Sequence, residues 1–181
     1  MNSSRPSEQT DDDQEPPERR HRISIANETD VAADVERIKR AVCWALDDTP
    51  YDEACVSIAV VDDETIHQLN RQFLAHDYPT DVLSFTLEDD PPQLEGEIIV
   101  SVDTARQNAA EAGWSADDEL LLYVIHGTLH LAGYLDKSPD DYAEMRAAEA
   151  EVLDRLGVQR SPTDARWNGE FEAEDIAEEL Q

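Results

Sequence analysis

The residues best suited to chemistry lie together in His126-Gly127-Thr128-Leu129-His130-Leu131-Ala132-Gly133-Tyr134-Leu135-Asp136, an HxxxHxxGxxD string. Two histidines four apart on a helix project from one face, one turn apart, so their imidazoles can reach one metal ion. Gly133 is where such a helix can end, because glycine tolerates positive φ. The chain then returns a third ligand, Asp136. Two histidines and one carboxylate with an open fourth position is the arrangement of a catalytic zinc site. The same donors suit nickel, cobalt or manganese. A histidine pair alone is as often packing as ligation; Gly133 and Asp136 at fixed offsets turn the reading to metal. The stretch therefore predicts a metal-dependent hydrolase with His126, His130 and Asp136 as ligands and one Zn2+ as cofactor.

The familiar protease form of this string, HExxHxxGxxH, carries a glutamate general base after its first histidine. Gly127 stands there in this chain, which argues against a conventional zinc protease. A metal can still lower the pKa of water to roughly 7, and other groups must then assist proton transfer.

The histidine segment must be a buried, rigid helix. Leu120, Leu121, Val124, Ile125, Leu129 and Leu131 make it apolar almost all round, the mark of a central helix. Ser115, with Asp118 three residues on, resembles a capping box that opens it. Around it, Arg22–Asn27 reads as a short strand, 30–48 as an amphipathic helix, and Ala54–Val61 as a β-branched strand. Asp62 or Asp63 caps a helix carrying Ile66, Leu69 and Phe73. Asp81–Leu87 alternates as a strand, Glu88–Glu95 with its two prolines reads as a loop, and Gly96–Ser101 as another strand. Ser101 caps a helix with an Ala105, Ala109, Ala112 seam ended by Gly113. Ser138-Pro139 starts a last helix whose Met145, Val152 and Leu156 face inward, ended by Gly157. The expected fold is α+β: a single domain with a small mixed β-sheet, packed with helices around the histidine helix.

Composition narrows the partners. The 181-residue chain carries 43 acidic against 14 basic residues, a formal net charge of -29. Such a chain is a poor general-purpose nucleic-acid binder, so any RNA substrate needs a local basic cleft or the metal, and DNA is not expected. No run approaches the roughly 20 apolar residues of a membrane span. The N-terminus lacks a signal-peptide apolar region, which makes a cytoplasmic enzyme the default. Residues 1–21 and 159–181 are polar and acidic tails expected to be disordered, with a weak amphipathic turn or two near Phe171–Leu180. The folded part is then 22–158, and both tails should be dispensable for folding. Cys43 and Cys55 read as buried free thiols rather than a disulfide.

Three segments in order resemble the YbeY family of single-domain, metal-dependent endoribonucleases. The family's HGxLHLxGYDH stands here as HGTLHLAGYLD. Its PT(D/N)VLSF stands as Pro79-Thr80-Asp81-Val82-Leu83-Ser84-Phe85, and its G(D/E)IxIS as Gly96-Glu97-Ile98-Ile99-Val100-Ser101. The resemblance covers about 22–157. It implies zinc-dependent hydrolysis of single-stranded RNA phosphodiesters, ribosomal RNA 3′-end maturation, and association with ribosomal RNA precursors and the small ribosomal subunit. Two departures stand out. The family's third histidine falls on Asp136, with Leu135 where the family has Asp; the alternative to direct ligation by Asp136 is a one-residue slip out of reach. The family's arginine four residues after Asn70 falls on Leu74, leaving Arg71 or His76 to take over phosphate positioning.

Arg71 is accordingly a candidate catalytic residue, against the plainer reading of a solvated surface arginine. Ser84 and Lys137 are candidate substrate-binding residues, against packing for the first and a loop surface for the second. Glu97 is a candidate partner for a metal histidine, against an exposed strand-edge carboxylate. Trp44 and Trp114 read as packing, not as an RNA-stacking motif. Two further functions fit the string: a non-catalytic metal-binding ribosome-assembly factor, which Leu74 favours, and a metallohydrolase of another class such as a minimal protease.

Overall fold

The computed structural model describes residues 21–160 and 164–167. Its elements run β1 (Arg22–Asn27), α1 (Val35–Ala45), β2 (Glu53–Val61), α2 (Asp63–Leu74), β3 (Val82–Asp90), β4 (Gln93–Ser101), α3 (Val102–Ala112), α4 (Ala116–Leu131) and α5 (Pro139–Arg155), followed by a 3-10 turn at Ala165–Trp167. The strands form one mixed sheet in the order β1-β2-β4-β3. β1, β2 and β4 are parallel, and β3 runs antiparallel to β4 at the edge. The expected α+β fold, with the histidines on the central helix, is what the chain adopts.

The register explains the layers. Ile25, Ile58 and Ile98 are cross-strand partners, and Val56, Ile58, Val60, Ile98 and Val100 turn one face toward α1, α3, α4 and α5 in the main core. Alternate residues face the other way, where Val61, Leu83 and Ile66 of α2 form a thinner second core. α4 lies against β3 and β4 closely because two glycines permit it. A Cβ on Gly127 would meet Ile98 at 3.0 Å and Val82 at 3.1 Å, and one on Gly96 would meet Leu131 at 2.6 Å. No helix among the described residues is long and apolar enough to cross a membrane.

Several expectations need correction. Residues 88–95 are not a loop: β3 runs to Asp90, β4 starts at Gln93, and Pro91-Pro92 is the turn of a hairpin. The prolines sit where no ladder N–H is needed, so they delimit the strands rather than abolish them. α1 is shorter than 30–48. Asn27 donates to the Val31 carbonyl and Asp34 accepts from the Arg37 amide, so a side-chain hook and cap occupy the residues before Val35. Phe73 is mostly exposed, its ring edge-on to Phe85 at 5.6 Å. Leu156 packs half-buried against the core as expected, and Leu153 beside it is fully buried. Cys43 and Cys55 are free as expected, but half-buried.

Most of both tails lies outside the described residues, including Phe171–Leu180. The C-terminal boundary at 158 nevertheless leaves out a docked segment. Arg166 grips fully buried Glu119 of α4 with Nη1 to Oε1 at 2.6 Å and Nη2 to Oε2 at 3.0 Å. Asp164 holds the same guanidinium, and Trp167 stacks on Trp114 with ring centroids 6.0 Å apart.

Candidate metal centre

The site is built on the last turns of α4. Ser115 caps the helix, accepting from the Asp118 amide, and apolar packing on all sides then fixes its rotation. Gly127 faces the sheet, which sends His126 and His130 toward the side occupied by α5 and the returning 133–138 loop. Gly133 at φ 93° makes the turn after the helix, and that turn brings Asp136 back over the two rings. His126, His130 and Asp136 offer ligand atoms that converge within 4.8 Å, and all three side chains are largely buried. The one-residue slip is therefore not what the chain adopts: Asp136, not Leu135, meets the histidines, and Leu135 is exposed.

Hydrogen bonding assigns the ring nitrogens. His126 Nδ1 is 2.7 Å from Glu149 Oε1, and His130 Nδ1 is 3.0 Å from the Tyr134 carbonyl. Both partners accept, so both Nδ1 atoms donate, and each neutral ring then carries its lone pair on Nε2. Those two Nε2 atoms stand 2.8 Å apart. Asp136 Oδ2 lies 3.2 Å from His130 Nε2 and 3.6 Å from His126 Nε2. Three lone pairs aimed at one another repel unless a cation stands between them. Ligand atoms around a tetrahedral zinc are about 3.3 Å apart, and this triangle brackets that spacing. The residues present thus fit a divalent ion held by two imidazoles and a carboxylate. A proton on His130 Nε2 in place of the ion would be donated to Asp136, and that hydrogen bond, with the charges of His130, His126 and Arg146, holds the Asp136 carboxyl below its usual range against the opposing effect of burial.

Glu149 is the functional residue the sequence reading missed. It is fully buried on α5, fixes the His126 ring through Oε1, and has Oε2 2.8 Å from Arg146 Nη1, close enough to pair charges though not aligned as a hydrogen bond. A carboxylate that orients a ligating histidine and strengthens its donor nitrogen is a recurrent companion of metal sites. Glu97, a candidate for such a partner against the plainer reading of an exposed carboxylate, is exposed. Strand alternation places it on the face opposite Ile98 and so away from α4.

The other candidates are placed as follows. Ser84 is half-buried, pairs with Ile98, and shares the α4 side of the sheet with Val82. Lys137 follows Asp136 and is exposed. Arg71 lies on α2 and reaches Asp77 at 3.9 Å, with 64% of its side chain exposed. His76 stacks on Tyr78, and Leu74 is exposed at the end of α2. The structure thus joins the three ligands into one cluster and leaves Arg71 engaged with Asp77.

A profile of the family described as Endoribonuclease YbeY matches residues 22–157. The chain is 49% identical over 110 residues to an Endoribonuclease YbeY of Rhodopirellula baltica, covering 60% of this chain and 57% of that protein. It is 37% identical over 156 residues to the Endoribonuclease YbeY of Bacillus licheniformis, covering 77% of this chain and 97% of that one. This chain therefore spans little more than half of the first relative and nearly all of the second. The solution structure of a Thermotoga maritima protein is similar in fold with a TM-score of 0.56 at 32% identity, over 75% of this chain and 92% of that one.

Proposed function

This chain belongs to the Endoribonuclease YbeY family, and from that premise we propose that it is a zinc-dependent endoribonuclease. Its substrate is single-stranded RNA, with the 3′ end of a ribosomal RNA precursor as the target and the small ribosomal subunit as the setting, in the cytoplasm. The observation that carries the hydrolase reading is the convergence of the His126, His130 and Asp136 lone pairs. A divalent ion held there supplies Lewis acidity toward water and toward a phosphoryl oxygen. Glu149 and the Tyr134 carbonyl keep both Nε2 atoms free of protons and aimed at the centre. Asp136 adds one negative charge to that set, and the surrounding packing of α4 excludes bulk water from its far side. Ser84, Lys137 and Arg71 stand as candidate contacts to the RNA strand.

A protease reading is disfavoured by packing as well as by sequence, since a Cβ at Gly127 would already press on Ile98 at 3.0 Å and Val82 at 3.1 Å. A non-catalytic ribosome-assembly role is the second reading, favoured by Leu74, an exposed apolar residue where the family's arginine is expected. Metal analysis of the purified full chain, coupled to cleavage of single-stranded and precursor ribosomal RNA with and without chelator, separates the two. One zinc per chain with chelator-sensitive cleavage supports the nuclease; bound zinc with RNA left intact supports the assembly factor.

A further inference from the structure

We infer that Arg146 is the cation of the metal cleft that receives a backbone phosphate of the RNA strand; this rests on the RNA reading above. Arg146 and His126 share one carboxylate: Glu149 Oε1 is on His126 Nδ1 at 2.7 Å and Oε2 is 2.8 Å from Arg146 Nη1. The guanidinium is thus one side chain removed from a metal ligand. Its charge also reaches Asp136. Arg71, on α2, instead faces Asp77 in the following loop, and Arg166 is consumed by Glu119 and Asp164.

Charge supplies the reason for a cation here. The two charges of a zinc ion are matched by Asp136 and Glu149, so without Arg146 the cluster is neutral. With Arg146 it is net positive, and one phosphodiester brings it to neutrality. In a chain of net charge -29, that local excess decides whether a polyanion is held. Arg146 is also prepared for the role. Its guanidinium lies 4.9 Å from the Tyr142 ring and 5.7 Å from the Trp167 ring, and Glu149 fixes one edge. Holding a side chain before the ligand arrives lowers the entropy cost of binding it. A guanidinium carries five donors; Nε is buried, Nη1 lies beside Glu149, and the side chain keeps 20% of its surface in solvent, which leaves the Nη edge for a phosphate. Arginine suits a phosphate better than lysine because two of its N–H groups can bond it at once.

The test uses the zinc-loaded full chain and a labelled single-stranded RNA oligonucleotide, with binding followed by anisotropy between about 50 and 200 mM KCl. Arg146→Gln should weaken binding about tenfold at the low-salt end and reduce the slope of log affinity against log salt by about 0.7, the value for one phosphate contact on a single strand. Arg146→Lys should restore the slope and part of the affinity. Zinc content of each variant is measured alongside. An unchanged slope in Arg146→Gln while the wild type binds and cleaves RNA overturns this inference and leaves the nuclease reading standing. So does a loss in Arg146→Gln that follows zinc loss and is not restored by Arg146→Lys, because the residue would then only support Glu149. A wild type that holds zinc but neither binds nor cleaves RNA overturns both.

Discussion

Removing residues 159–181 should destabilise the domain substantially, against the expectation that composition alone suggests. The deletion takes away Arg166, which pairs with both oxygens of Glu119. Glu119 is fully buried, so the loss strands a carboxylate in the core. Breaking a buried pair by removing one partner costs about 3–5 kcal/mol. Arg166 keeps 27% of its side-chain surface, which argues for the lower end, about 3 kcal/mol. Loss of the Trp167 stack on Trp114 adds about 0.5–1.5 kcal/mol. At about 2–4 °C per kcal/mol for a chain of this size, the thermal midpoint should fall on the order of 10 °C. Differential scanning calorimetry of the full chain and of residues 1–158 measures this directly. A second comparison isolates the cause: Glu119→Gln should cost far more in the full chain than in the shortened one, where no cation is left to lose. A shortened chain melting within two or three degrees of the full chain would refute the reasoning and return the segment to the status of a dispensable tail.

Acid should erase part of that difference. Burial tends to raise the Asp164 carboxyl, but hydrogen bonds from Arg166 outweigh it and leave the group below its usual range. A carboxylate depressed in the folded state stabilises fully above its unfolded pKa of about 3.9 and loses that contribution as pH falls through the folded value; the two chains' midpoints should therefore converge below about pH 4, as melting curves across that range will read. Asp136→Ala should weaken zinc binding more than about 100-fold and Glu149→Gln about 10–100-fold, while Asp136→His retains it; competition against a chromophoric chelator ranks all three, and equal affinity of Asp136→Ala and wild type excludes Asp136 as a ligand. Gly127→Glu, which recreates the protease string, should destabilise the fold by at least about 3 kcal/mol, because the side chain would drive into Ile98 and Val82 and bury a carboxylate among them; a stable, soluble variant on urea titration contradicts the close seating of α4 on the sheet.

The convergence of His126, His130 and Asp136 was legible because helical periodicity and a turn glycine determine where three nearby residues can meet. His126 and His130 are one turn apart, and Gly133 leaves few ways for Asp136 to return. Ser84 became a candidate only through the family resemblance, and it does lie on the α4 side of the sheet, paired with Ile98. Glu149 was hidden because its partner is 23 residues away, on another helix, and no local pattern records tertiary pairing. A signal did exist: Glu149 stands between Met145 and Val152 on the buried stripe of α5, and a carboxylate on an apolar stripe must have a partner. Glu119 carried the same signal among the leucines of α4, and it pointed to Arg166 in what composition marked as a tail. The stretch at 88–95 misled because its two prolines were taken to break the strands, whereas they occupy only the hairpin turn between Asp90 and Gln93. At the edge of a sheet, charged side chains can stay in water while the backbone still pairs.

The proposed function requires one ion, held by His126, His130 and Asp136, for this chain to cut RNA. Titrating zinc into metal-stripped protein while following cleavage of a single-stranded RNA tests it most directly. Cleavage should rise from zero and level off at one equivalent per chain, and His126→Ala should stay inactive at every zinc concentration. Cleavage by the metal-stripped protein, or by His126→Ala to the same extent as wild type, would contradict it.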